Sequence, residues 1–181
     1  VQDPGLFYVA KTYFPKLEVH VSTQASVYQP ESVAWLEKQG VTRVVLAREN
    51  TLKEIQTIGK QNPNMELEVF VHGAQCISFS GQCLLSSFIG KRSGNKGSCA
   101  QPCRLGYTLL KNKHPYTNKK SYLLSPQDLC TIEDIPKIIG AGVTSLKIEG
   151  RMKHPAYIAT VVSSKTKIPV YELLNDNKRV I

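Results

Sequence analysis

The sequence predicts an α/β fold, a partial (β/α) barrel that lacks its first strands and carries an inserted cysteine-rich loop and a small hairpin. Three observations point there. Strand-like and helix-like segments alternate, and the strands begin about 25 residues apart, which leaves room for one crossover helix between parallel neighbours. The segment Asp3 to Phe14 reads as a helix with no strand before it. Neither the G-x-G-x-x-G run of dinucleotide binding nor a phosphate-binding P-loop is present. Open doubly wound sheets and eight-stranded barrels share this element order, and the strandless first helix favours a barrel entered part-way round.

The elements follow in order. Leu17 to Thr23 alternates apolar and polar residues, the period of a half-buried strand. Pro30 to Gln39 is a helix, with Pro30 in its first turn and Gly40 at its exit. Val41 to Ala47 is a β-branched second strand. Thr51 and Glu54 have the spacing of a capping box, opening a helix to Lys60. Glu66 to His72 is a third strand, and residues 73–106 then break the rhythm. Tyr107–Leu110 and Ser121–Leu124 pair as a hairpin around the basic turn 111–120. Ser125 as N-cap and Pro126 at the first position start a helix to Ile139, with Pro136 a kink inside it. Val143 to Glu149 is a fourth strand, Pro155 to Ser164 a helix and Val170–Leu174 a last strand. The barrel part is thus residues 1–164, holding the cysteine-rich loop 73–106 and the hairpin 107–124, and 165–181 form a tail or the start of a next element.

Composition narrows the class. Of 181 residues, 41 % are hydrophobic and 20 % charged, as in a globular chain with a buried core. No apolar run approaches the ~20 residues that span a bilayer. The opening Val1, Gln2, Asp3 and Pro4 lack the basic start and apolar core of a signal peptide. A cytoplasmic location with no membrane partner is expected. With no initiator Met, the chain is expected to be a piece of a longer protein, and an open sheet edge would invite dimerisation or strand exchange.

The net charge is +9 and unevenly spread. No acidic residue lies between Glu68 and Asp128, an interval that holds Lys91, Arg92, Lys96, Arg104, Lys111, Lys113, Lys119 and Lys120. Such a segment favours a polyanion, of which nucleic acid is the commonest, whereas the plainer alternative is a solvated surface that keeps the chain soluble.

Cys76, Cys83, Cys99 and Cys103 are spaced C-x6-C-x15-C-x3-C in a glycine- and serine-rich stretch, and Cys130 follows 27 residues on. Disulfides suit small secreted chains, which this is not, and five is an odd count. Zinc prefers two tight C-x2–4-C pairs, and only Cys99 and Cys103 approach that. An iron–sulfur cluster needs four thiolates and tolerates irregular spacing. Small buried hydrophobes remain an alternative for Cys76 and Cys83, less so in the loop-like run 97–104.

Polar residues recur at the C-terminal ends of the strands, where α/β folds place their chemistry. Ser22, Thr23 and Gln24 lie at the end of the first strand, Arg48 and Glu49 follow the second, His72 ends the third, and Glu149 and Arg151 lie at the end of the fourth. The cysteine loop starts directly after His72. Gln24, Arg48, Glu49, His72, Glu149 and Arg151 are therefore the candidate catalytic residues, and Lys91, Arg92, Lys96 and Arg104 the candidate nucleic-acid contacts. Each has a bland alternative: Glu49 as a helix cap, Arg151 as a partner of Glu149, His72 as a structural histidine. A serine triad lacks its G-x-S-x-G elbow, since Phe79-Ser80-Gly81 has too few glycines, and four thiols in one loop argue for a set rather than one nucleophile.

The run from Glu68 to Ser86, Glu-Val-Phe-Val-His-Gly-Ala-Gln-Cys-Ile-Ser-Phe-Ser-Gly-Gln-Cys-Leu-Leu-Ser, resembles the signature of the collagenase-like peptidase family U-32. The resemblance continues through Arg92 to Arg104 (Arg-Ser-Gly-Asn-Lys-Gly-Ser-Cys-Ala-Gln-Pro-Cys-Arg) and resumes at Ser125–Leu129 and Ser145–Arg151. The opening Val-Gln-Asp and the segment His20–Gln24 fit as well, so nearly the whole chain to Thr160 is covered. The resemblance implies a partial TIM-like (β/α) barrel whose first strands belong to a preceding part. It implies Cys76, Cys83, Cys99 and Cys103 as ligands of a 4Fe-4S cluster, with Cys130 in reserve.

For activity, the resemblance implies hydroxylation of a nucleobase in tRNA or rRNA, with structured RNA as partner and prephenate as the implied hydroxyl donor. In that reading Lys91, Arg92, Lys96 and Arg104 hold phosphates, Arg48, Arg151 and His72 bind the donor or a base edge, and Glu49 and Glu149 orient groups or move protons. Two rivals of other classes stand beside it: the peptidase of the family name, and a non-catalytic RNA-binding module stabilised by zinc or a cluster. Ubiquinone-type hydroxylation is a further enzyme variant, and the acid-free loop favours RNA over a greasy ring.

Overall fold

The computed structural model describes the chain from Val1 to Thr166 apart from Asn118, Arg151 and Met152. The expected strand at Val170–Leu174 and the candidate Arg151 fall outside the described residues.

Local chemistry sets the helix starts. In α1 (Pro4–Tyr13) the Asp3 carboxylate caps the end by accepting from the Leu6 N–H at 2.7 Å, with Pro4 first in the helix. α2 is Pro30–Lys38 and α3 is Leu52–Gln61. The capping box of α3 closes in both directions, Thr51 N–H to Glu54 Oε2 at 2.7 Å and Glu54 N–H to Thr51 Oγ1 at 3.3 Å.

Strands β1 (His20–Val21), β2 (Arg43–Val45) and β3 (Glu66–Gly73) pair in parallel in chain order. After a short α4 (Leu85–Gly90) come β4 (Leu110–Lys111) and β5 (His114–Pro115), a free-standing antiparallel ladder. β6 (Leu129–Cys130) adds antiparallel to the end of β3. α5 is Ile135–Gly140, β7 (Val143–Ile148) returns parallel to β3, and α6 is Pro155–Thr166. His72 is paired with both Cys130 and Ile148, so β6 and β7 lie on opposite edges of β3. β6 therefore extends the β2 edge beyond Glu68, the last β3 residue that β2 pairs. The sheet is not closed. Val1 lies against β1 in the parallel pattern, its amino group donating to His20 O and its carbonyl accepting from Ser22 N–H at 2.7 Å.

Alternation along β3 divides the sheet into two faces. Leu67, Val69 and Val71 join Val44, Leu46 and Val143 under Val33 and Leu36 of α2, Ile55 and Ile58 of α3 and Ile138 of α5. At ~25 cal/mol per Å² of apolar area, this layer is the main stabilising feature of the domain. The other face carries Arg43, Glu68, Phe70, His72, Ser145 and Lys147. Glu68 is buried there and accepts from Lys147 Nζ and Ser145 Oγ, both at 2.8 Å, with Arg43 at 3.5 Å. Burial alone would raise its carboxyl. The hydrogen bonds from Lys147 and Ser145 and the charges of Lys147 and Arg43 outweigh it and hold the group below its ordinary value.

Two expectations need correction. The first strand shrinks from Leu17–Thr23 to His20–Val21, and a short 3-10 turn begins at Thr23. The helix expected from Ser125 to Ile139 is instead loop, strand β6, a 3-10 turn at Ile132–Asp134 and the short α5, with Pro136 in the first turn rather than at a kink. The cause is tertiary: the Arg104 guanidinium takes Ser125 Oγ, Pro126 O and Asp128 Oδ1, so the would-be cap serves another segment. The hairpin forms with a shifted second strand. Its tight turn is Asn112-Lys113, both at positive φ, and only Ser121 of 121–124 bridges back, to Tyr107. Among the described residues no helix is long and apolar enough to cross a membrane.

Candidate functional site

The rim at the C-terminal ends of β2, β3 and β7 gathers most of the expected residues. Arg48 follows β2, and its side chain is only 12 % exposed. Its Nη2 meets Glu149 Oε2 at 3.2 Å, its Nη1 donates to Ala74 O at 3.0 Å, and its guanidinium lies 3.8 Å over the Phe70 ring. One cation thus joins the ends of three strands, as a planar five-donor fork on an aromatic face does well. His72 faces Tyr157 of α6, ring centroids 6.0 Å apart. Burial raises the Tyr157 hydroxyl, and the negative charges of Asp128, Cys130 and Glu149 push it the same way. Gly73 has φ +105°, and a Cβ there would lie 2.4 Å from the Glu149 carbonyl oxygen. Only glycine lets β3 and β7 end this close together.

In the structure Glu49 and Gln24 hold the cysteine loop. Both Glu49 oxygens are committed to Ser80: Oε1 accepts the Ser80 N–H at 2.7 Å and Oε2 its hydroxyl at 2.5 Å. Ser80 is fully buried with φ +44°, and its Oγ in turn accepts the Arg48 N–H at 3.2 Å. Gln24 Nε2 donates to Gly81 O at 3.3 Å and Asn95 Oδ1 at 3.0 Å, while Gln82 Nε2 donates back to Gln24 O at 2.9 Å. With Arg48 on Ala74, these residues clamp the cysteine loop onto the strand ends. Arg104 is engaged within the chain: its guanidinium holds Gln75 O, Ser125 Oγ, Pro126 O and Asp128. Lys91, Arg92 and Lys96 stand exposed on the loop between Cys83 and Cys99, and Arg92 Nε donates to Ser98 O at 2.9 Å.

Cys76, Cys83, Cys99 and Cys103 are all half-buried free thiols, and Cys130 is exposed on β6. Burial pushes the Cys103 thiol up, the charge of Arg104 opposes it, and Cys76 and Cys99 add to the rise. The Leu85 N–H donates to Cys83 Sγ at 3.4 Å and the Gln101 N–H to Cys99 Sγ at 3.3 Å. Backbone donors two residues on from a cysteine stabilise thiolate sulfur and tune a cluster it holds. In number and softness the donor set fits an iron–sulfur centre. Among the described residues no three metal-ligating side chains converge on one point.

Sequence reasoning passed over Phe70, Ser80, Asn95 and Tyr157. Phe70 had a signal, standing between Glu68 and His72 on the polar face of β3. Ser80 had one too, as the centre of Phe79-Ser80-Gly81 between two cysteines. Asn95 and Tyr157 had none, since only folding brings them to Gln24 and His72.

The family model for peptidase family U32 matches residues 1–171. The chain is 42 % identical over 174 residues to tRNA hydroxylation protein P1 of Bacillus subtilis, covering 93 % of this chain and 41 % of that protein. It is 38 % identical over 163 residues to a 23S rRNA 5-hydroxycytidine synthase of Escherichia coli, covering 90 % and 24 %. A protein named collagenase from Porphyromonas gingivalis is 39 % identical over 158 residues, covering 80 % and 38 %. The chain spans less than half the length of these curated relatives. No solved structure matches. Matched by the family model from its first residue to Tyr171, the chain belongs to peptidase family U32.

Proposed function

We propose that this chain is the cluster-bearing part of a longer enzyme that hydroxylates a nucleobase in tRNA or rRNA. The observation that carries the reading is the loop of four half-buried thiols, free of acidic residues and clamped onto the strand ends by Gln24, Arg48 and Glu49. Relatives named for tRNA and rRNA hydroxylation supply the substrate class.

Cys76, Cys83, Cys99 and Cys103 would hold the 4Fe-4S cluster, with Cys103 preferred to Cys130 as the fourth ligand because it is half-buried like the other three while Cys130 stands exposed on β6. A bound cluster supplies one-electron redox chemistry. The rest falls to the chain's own groups. Lys91, Arg92 and Lys96 face solvent as phosphate contacts. Arg48 and Glu149 fix the rim geometry, and His72 and Tyr157 are the groups beside it that hold a proton. Prephenate is the proposed anionic hydroxyl donor. We read the open sheet as an arc of a (β/α) barrel completed by the rest of the longer protein rather than by a second copy. Its parallel strands follow chain order with α2, α3 and α5 on one face, and Val1 already occupies a strand position beside β1.

A peptidase reading draws on the collagenase relative. Ser80, hydrogen-bonded to a carboxylate and fully buried, is no nucleophile for it.

The test is nucleoside mass spectrometry on total tRNA and rRNA from cells with and without the full-length gene. Loss of a pyrimidine carrying one extra oxygen, restored by the wild type but not by Cys99→Ala/Cys103→Ala, supports the reading. An unchanged nucleoside profile overturns it, and gelatin cleavage by the iron-free full-length protein would install the peptidase instead.

A further inference from the structure

We propose that the hairpin between Tyr107 and Ser121 is an RNA-binding arm, which takes an unpaired stretch of the substrate by stacking a base on Tyr116 and pairing its phosphates with the lysines around it. The inference rests on the RNA reading above and adds a second contact surface, apart from Lys91, Arg92 and Lys96.

The arm is built to project. At its neck Arg104 bonds to Asp128 Oδ1 and Ser125 Oγ, both at 2.9 Å, and to Gln75 O at 3.3 Å, so the chain leaving the cysteine loop and the chain returning are tied together. The Tyr107 hydroxyl donates to Pro102 O at 2.8 Å, and Tyr107 and Ser121 exchange backbone hydrogen bonds at 2.8 and 2.9 Å. The arm is therefore rooted beside Cys103. Beyond that neck every described residue from Leu109 to Leu124 is exposed. A two-stranded ladder with no core behind it is marginal by itself. This one also exposes Leu109, Leu110 and Leu123 by half or more, Tyr116 by 63 % and Tyr122 by 71 %. Apolar surface of that extent marks a contact.

Charge and register name the partner. The stretch 105–124 carries Lys111, Lys113, Lys119, Lys120 and His114 and no carboxylate. Lys111 stands opposite His114, and Tyr116 donates its N–H to Leu109 O at 2.8 Å. Period-two alternation then sets Leu109, Lys111, His114 and Tyr116 on one face of the ribbon. An aromatic platform beside cations on one face is the arrangement that binds single-stranded nucleic acid, bases on the ring and backbone on the charges. Acidic lipid would satisfy the lysines as well, but it gives no use to a tyrosine set opposite Leu109 and next along the face from the Lys111–His114 pair of a narrow ribbon.

The experiment is fluorescence anisotropy of labelled tRNA with the full-length protein across a potassium chloride series. Lys111→Ala/Lys113→Ala/Lys119→Ala/Lys120→Ala should flatten the slope of log affinity against log salt by about three, at ~0.7–0.9 per phosphate contact. Tyr116→Ala should weaken binding roughly tenfold with the slope unchanged, and Tyr116→Phe should restore it. Circular dichroism and iron content should match the wild type in all three variants, since these side chains touch no core. Wild-type affinity and slope in every variant would overturn the arm. So would lost binding to phosphatidylserine vesicles with RNA binding intact. If the variants behave as expected while RNA from gene-deleted cells keeps its hydroxylated nucleosides, the arm stands and the hydroxylation reading falls. Lost hydroxylation in those cells with normal RNA binding by the variants removes the arm alone.

Discussion

Replacing Glu49 by Ala separates an anchor from a base. The carboxylate accepts two short bonds from Ser80, at 2.7 and 2.5 Å, and Ser80 has no solvent exposure to offer water as a substitute. Hydrogen bonds to a charged group contribute about 1.5–3 kcal/mol each, and a buried donor left unsatisfied costs a similar amount. Glu49→Ala strands one N–H and one O–H. Allowing for local relaxation, the loop opens about 3 kcal/mol more easily, which is roughly a hundredfold faster amide exchange at 1.4 kcal/mol per decade. Ser80→Ala loses the hydroxyl bond to Glu49 and the acceptor of the Arg48 N–H, about 2–3 kcal/mol, and the double variant should fall short of the sum because both changes act on one contact. Hydrogen–deuterium exchange on peptides spanning residues 76–84 of the full-length protein reads this directly, with peptides of β3 as the internal reference. Exchange within twofold of wild type in Glu49→Ala, together with lost turnover and a lost limb of the pH–rate profile, would refute the anchor and restore Glu49 as a proton-transfer group.

Three further outcomes are expected. Glu68→Gln should destabilise by about 2 kcal/mol at neutral pH, less than a fully buried broken pair because Lys147 is about a third exposed. Because the folded carboxyl titrates below its ordinary value of 4.5, the stability it contributes is complete above 4.5 and fades as pH falls through the lower folded value. The gap in melting temperature between wild type and variant should therefore hold from pH 7 to about pH 5 and narrow under stronger acid, and a gap that widens there would contradict the assignment. Gly73→Ala should cost about 3 kcal/mol in a denaturant titration, combining the positive φ with a 2.4 Å approach to a backbone oxygen, whereas Gly90→Ala, with nothing within 4 Å, should be neutral or slightly stabilising. Iron and sulfide analysis of full-length protein purified without oxygen should find the cluster lost in Cys103→Ala and kept in Cys130→Ala, and the reverse result would exchange the fourth ligand.

Most of the element order was legible because its signals are local. Asp3, Pro30 and the Thr51–Glu54 box act within one helical turn, and the helices begin where those residues say. The segment after Ser125 misled because its helix-start signal is equally local but loses to Arg104, a partner 21 residues away, and to the edge of β3 left open beyond β2. The rim was legible as a place, since strand ends bring Gln24, Arg48, Glu49, His72 and Glu149 to one side. Their roles were not. Whether a carboxylate is a base or a buckle depends on which loop atom arrives beside it, and Ser80, Gly81 and Ala74 reach the rim through a loop with no periodicity to read. The cysteines were legible as a group in sequence, while the burial that distinguishes half-buried Cys103 from exposed Cys130 comes only with the fold.

The central position of β3 also sets a timetable. Its contacts with β2 join residues about two dozen apart, such as Arg43 with Glu66, whereas its contacts with β7 join Glu68 to Ser145, 77 residues later. At roughly 5–20 residues per second, a ribosome takes about 4 to 15 s to bridge that interval. Within that interval β3 joins β1, β2 and their helices first, the four loop thiols follow and are complete at Cys103, and Glu149 is then still 46 residues from arriving to engage Arg48. The thiols pass through synthesis with the rim unfinished above them, so the order of manufacture leaves the loop open to oxidation before the last strand closes the rim.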